Sequence, residues 1–72
     1  MTTYRVRLNS MDKVRNFVNT ISEKEGKYEV VSDYRIVNAK SILGVFSLDL
    51  SRTLELRIEN DRLPVELEPF RA

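Results

Sequence analysis

The sequence predicts an α+β protein in which one antiparallel sheet carries its helices on a single face. Three observations point there. Tyr4–Leu8 and Thr53–Glu59 alternate apolar and charged residues with a period of two, the mark of strands with one wet face. Met11, Val14, Phe17, Val18 and Ile21 recur at steps of three and four, the mark of an amphipathic helix. The elements then follow one another as β-α-β-β-α-β, and helices on the inner face of a half-buried sheet satisfy all of these patterns together.

In the first strand Tyr4, Val6 and Leu8 form the inward row, while Arg5 and Arg7 point outward. Asn9 and Ser10 break the alternation. Ser10 suits a helix N-cap, because its hydroxyl accepts a backbone N–H that has no partner within the helix. Along the helix, Lys13, Asn16, Asn19, Thr20 and Lys24 make the polar face, and Gly26 is the expected terminator, since a left-handed residue there carries no Cβ penalty. Lys27–Ser32 and Tyr34–Ala39 are rich in Tyr, Val and Ile and read as a hairpin turning near Asp33. Ser41–Leu48 is short for a helix on propensity alone. In the last strand Leu54, Leu56 and Ile58 face inward against Glu55, Arg57 and Glu59 outside.

Both prolines lie in the segment 60–72. Pro69 lacks an N–H and would clash with a preceding helical turn, so a helix starting near Pro64 has little more than one turn available. The segment is expected as a short turn or extended stretch laid over apolar surface. The chain thus divides into a domain at 1–59 and a tail at 60–72.

Composition removes many function classes. The 72 residues contain neither cysteine nor histidine, which excludes disulfides, thiolate zinc sites, thiol enzymes and Ser-His-Asp triads. No cofactor or metal ligand set is indicated, and no general base or covalent nucleophile for an enzyme. Twelve basic and eleven acidic side chains give a net charge of +1, too balanced for a nucleic-acid partner. The N-terminal residues lack a signal-peptide pattern and no window is apolar enough for a membrane span, so a cytoplasmic location is expected.

Asn38 to Leu50 carries the most specific pattern: Lys40-Ser41-Ile42-Leu43-Gly44-Val45-Phe46-Ser47-Leu48 at its centre. This run resembles the second-helix segment of HPr, the histidine-containing phosphocarrier of the bacterial phosphoenolpyruvate sugar phosphotransferase system. The family pattern there is Lys-Ser-Ile, Met or Leu, Gly-Val, a large apolar residue and Ser-Leu. The resemblance implies an open-faced β-sandwich with a four-stranded sheet in the order 1-4-2-3, a reduced C-terminal segment, and protein partners from sugar transport or carbon-source regulation. It also implies loss of the phosphocarrier chemistry. Where the family's phosphoacceptor histidine opens the first helix, this chain has Met11, Asp12 or Lys13, depending on alignment, and none replaces a nucleophilic imidazole.

The resemblance assigns roles to particular residues. Ser41 matches a regulatory phosphorylation site of Gram-positive family members, and a phosphate at a helix N-terminus meets free N–H groups. The plainer reading is a simple N-cap worth about 1 kcal/mol. Lys40, Ile42, Leu43 and Phe46 are the expected docking residues, with Val45 and Leu48 turned inward. Exposed apolar clusters tend to mark interaction sites, whereas on so short a helix one face must serve the core. Gly44 is expected to permit close packing or a tight turn. Arg5, Arg7, Arg35, Arg52 and Arg57 suggest an anion-binding surface, but pairing of the first and last strands would make a mixed charge ladder of them. Glu66 and Glu68 have no pocket to act in. Self-association, through apolar surface left by the missing C-terminal helix, is the alternative role.

Overall fold

In the computed structural model, which describes residues 2–60 and 62–72, the chain forms β1 (Thr2–Val6), α1 (Met11–Ser22), β2 (Tyr28–Ser32), β3 (Arg35–Asn38), α2 (Ile42–Phe46), β4 (Leu54–Ile58) and a 3₁₀ segment (Val65–Phe70). The four strands make one antiparallel sheet in the order β1-β4-β2-β3. No described helix is long and apolar enough to cross a membrane.

The period-two pattern decides which face is buried. Val6, Tyr28, Val30, Leu54, Leu56 and Ile58 point to the helix side and are almost completely covered. Val14, Phe17, Val18 and Ile21 of α1 meet them from above, with Val45 and Leu48 completing the layer beside β3. Among the described residues no helix packs on the opposite face. Its rows read Arg5–Glu55–Val31–Ile36 and Thr3–Arg57–Glu29–Asn38 across the sheet, so Arg5 faces Glu55 and Arg57 faces Glu29. Of the charge ladder expected between β1 and β4, only Arg5–Glu55 forms: Arg57 lies opposite Thr3 and takes its acidic neighbour from β2, and Arg7 lies beyond the end of β1.

Several boundaries differ from the sequence reading, each for a local reason. β1 runs from Thr2 to Val6, and Leu8 is buried beyond its end. Met11, placed on the apolar face by its spacing, is 65% exposed because the first turn of α1 overhangs the core. The helix stops at Ser22 with Glu23 as its cap in ordinary helical geometry, since residues after Ile21 are polar all round and nothing rewards continuation. Gly26 therefore does not terminate it. Its positive φ of 99° turns the chain into β2 instead, where Lys27 N donates to Glu59 Oε1 at 3.3 Å. In the hairpin Ser32 pairs with Arg35, which leaves Asp33 and Tyr34 as a two-residue loop. Asp33 supplies the left-handed φ of 53° that such a tight turn demands, and aspartate tolerates it better than most side chains.

The segment after β4 is part of the core. Leu67 is completely buried, and the Phe70 ring meets Phe17 edge-on with centroids 5.4 Å apart. Tyr4 Oη accepts from Leu63 N at 3.0 Å, and Lys24 Nζ donates to Glu66 Oε2 at 2.7 Å. The last residues lie along the outer edge of β1, with Arg7 N donating to Phe70 O at 2.8 Å and Ala72 N to Arg5 O at 3.0 Å. Pro69 is tolerated because the segment is a 3₁₀ turn rather than an α-helix. Leu63 and Phe70, partly buried, pack against the core around Leu67.

Candidate functional site

α2 has five residues, too few to hold together by its own backbone bonds. Its neighbours hold it. Ser41 Oγ caps the start by accepting from Gly44 N at 3.2 Å. At the other end, the Arg35 guanidinium donates to Ser47 O at 2.7 Å and Ser47 Oγ at 2.8 Å, and Ser47 Oγ in turn donates to Gly44 O at 2.6 Å. Arg35 therefore serves α2 rather than an anion-binding surface. Gly44 packs tightly against its own cap and against β3. A Cβ there would lie 3.3 Å from Ser41 Oγ and 3.4 Å from Val37 Cβ, so the expectation of close packing holds.

This anchoring decides which side chains face out. Val45 is buried and Leu48 nearly so, whereas Leu43 is 79% exposed, Ile42 37% and Phe46 36%. Leu43 and Phe46 are three positions apart and Ile42 and Phe46 four, so the three share one helical face. Lys40, expected beside them, turns away: its Nζ donates to Lys24 O at 2.7 Å and stands 5.9 Å from the Tyr28 ring centroid. It pins the start of α2 to the α1–β2 loop. Ser41 is exposed, with its hydroxyl engaged in the cap.

The first turn of α1 lies next to the far end of α2. Met11 and Phe46 line the same shallow groove of about 460 Å³, together with Leu50, Arg7, Asn9, Ser10 and Ser51. Of Met11, Asp12 and Lys13, only Met11 lines this groove. Asp12 is exposed and pairs with Arg15 at 3.9 Å, and Lys13 is exposed, with its backbone N–H taken by Ser10 Oγ at 3.1 Å. Of these three, the groove thus receives only the Met11 thioether, which is no nucleophile of imidazole type. No group of three or more acidic side chains placed to hold a metal occurs among the described residues.

Sequence reasoning missed Leu50 and the clamp from Arg35. Leu50 was visible as a lone apolar residue in the polar stretch Asp49 to Thr53. Arg35 had no signal, since its partner is fixed only by the crossing of β3 under α2. In this loop Asp49 Oδ1 accepts from both Ser51 Oγ and Ser51 N, at 2.6 and 3.1 Å. These bonds hold the Asp49 carboxyl below its ordinary range and shape the turn beside Leu50.

No protein-family model, curated protein or solved structure matches this chain.

Proposed function

We propose that the chain is a degenerate HPr-like protein that binds protein partners of the sugar phosphotransferase or carbon-regulation system and carries no phosphate on its first helix. The observation behind this reading is the exposed apolar face of α2, Ile42, Leu43 and Phe46, continuing into a groove lined by Met11 where the resemblance calls for histidine. The sheet order 1-4-2-3 and the residues Lys40 to Leu48 support the kinship. Contiguous exposed apolar side chains of this kind are costly to leave in water unless a partner covers them.

Titration of the ¹⁵N-labelled protein with enzyme I and with sugar-specific subunits tests the reading. Amide shifts should concentrate at Met11, Ile42 to Ser47 and Leu50, and Leu43→Glu should weaken binding by roughly tenfold or more. Shifts confined to other surfaces, or none with any of these proteins, would overturn it. Incubation with phosphoenolpyruvate and enzyme I should leave the chain unlabelled.

Regulation through Ser41 is the second part of the proposal. The hydroxyl is at an exposed N-cap, where added phosphate oxygens could keep accepting from Gly44 N. Treatment with ATP and the HPr serine kinase should label the wild type and not Ser41→Ala. Absence of label would reduce Ser41 to its capping role.

A further inference from the structure

The groove that Met11, Phe46 and Leu50 share has one charged residue in its lining, Arg7. Arg7 lies beyond the end of β1 and so has no place in the charge rows of the sheet. Its backbone is fixed, with N donating to Phe70 O at 2.8 Å, while the residue as a whole is exposed. Among the described residues its guanidinium has no acidic partner.

The acids that adjoin the groove in sequence are committed elsewhere. Asp49, next to Leu50, accepts from both Ser51 Oγ and Ser51 N, and Asp12, next to Met11, pairs with Arg15 at 3.9 Å. The hydroxyls of the lining are occupied too. Ser10 Oγ caps α1, and Ser51 Oγ donates to Asp49. What the groove offers a visitor is therefore three apolar side chains and one unpaired cation.

We infer that this groove receives a segment of a partner protein in which an acidic side chain stands beside an apolar one. The apolar side chain lies against Met11, Phe46 and Leu50, and the carboxylate sits on the Arg7 guanidinium. A guanidinium meets a carboxylate through two parallel N–H···O bonds, so one fork balances one acid. A nucleic-acid backbone calls for a row of cations, and the lining holds a single one. An uncharged segment would cover part of the guanidinium and leave it without a partner, which is unfavourable. The charge thus selects among segments that the apolar surface alone would accept equally. This inference rests on the docking role proposed for the α2 face, and not on the kinship with HPr.

Two capped peptides test it, acetyl-Leu-Glu-Leu-Glu amide and acetyl-Leu-Gln-Leu-Gln amide, each titrated to about 10 mM into the ¹⁵N-labelled protein at low salt. Both should shift the amides of Met11, Phe46, Leu50 and Ser51, with the glutamate peptide binding roughly threefold more tightly. In Arg7→Gln that preference should vanish while the glutamine peptide binds as before. In Lys13→Gln, which removes the same charge from just outside the groove, the preference should remain. Circular dichroism verifies that both variants are folded. No shift with either peptide, equal binding of the two by the wild type, a preference that survives Arg7→Gln, or one lost as fully in Lys13→Gln would each overturn the inference. Enzyme I takes no part in this titration, so the kinship and the present inference fail separately.

Discussion

Arg35 on β3 grips Ser47 with both terminal nitrogens, 2.7 Å to the carbonyl and 2.8 Å to the hydroxyl, and so closes the last turn of a helix that belongs to a different part of the chain. Because α2 is too short to persist alone, this pair sets its orientation. Arg35→Gln should cost about 1 kcal/mol, the ordinary worth of an exposed bond of this kind. The effect should be read by urea unfolding, together with faster amide exchange at Val45 to Leu48 and little change in α1.

Ser41 makes the opposite end of the same helix. Ser41→Ala should lower stability by about 1 kcal/mol, and Ser41→Asp should recover most of that loss, since aspartate caps as well as serine. Paired urea titrations of the three proteins check this. Equal stability of alanine and wild type would remove the cap from the account.

Leu67 is fully buried within a segment that has only 3₁₀ structure of its own. Leu67→Ala should cost about 2–5 kcal/mol, a large part of the stability available to a domain of this size. Thermal unfolding measures it. Release of the segment should also expose the Phe17 ring to solvent, visible in its proton chemical shifts.

The Lys24–Glu66 pair ties the same segment to the end of α1. The bond from Lys24 holds the Glu66 carboxyl below its ordinary value of 4.5, and the bond to Glu66 holds the Lys24 ammonium above 10.5. Glu66 thus contributes stability that is present above 4.5 and fades as the pH falls through its depressed value. Lys24 contributes stability that is present below 10.5 and fades as the pH rises through its raised value. Attachment of the segment should be flat across neutral pH and weaken at both extremes. Amide exchange at Leu67 over a pH series, corrected for intrinsic rates, should show this in the wild type, and Glu66→Gln should abolish the acid limb.

Periodicity made the sheet and α1 legible because each is half-buried and its alternation is written in residue type. Val14, Phe17, Val18 and Ile21 reach the core as their spacing demands. Met11 does not, since spacing specifies a face but not how far the core extends under it. The 3₁₀ segment was harder to read. Leu63 just before it and Leu67 and Phe70 within it fit a helix by spacing while Pro69 forbids one, and only contact with Tyr4 and Phe17 decides the matter. At the candidate site, the residues of α2 announced themselves by their resemblance to a known run. The turning away of Lys40 and the grip of Arg35 could not be read, because each depends on a partner sixteen or twelve positions distant.

The way α2 is held bears on any attempt to copy it. A linear peptide spanning Lys40 to Leu48 would carry the same side chains but neither of the long basic arms' anchor points, Lys24 O and the β3 backbone that carries Arg35. It would be a coil in water, spending on folding what the intact chain has already spent. An effective mimic would have to be cross-linked or cyclised around the Ser41–Ser47 turn.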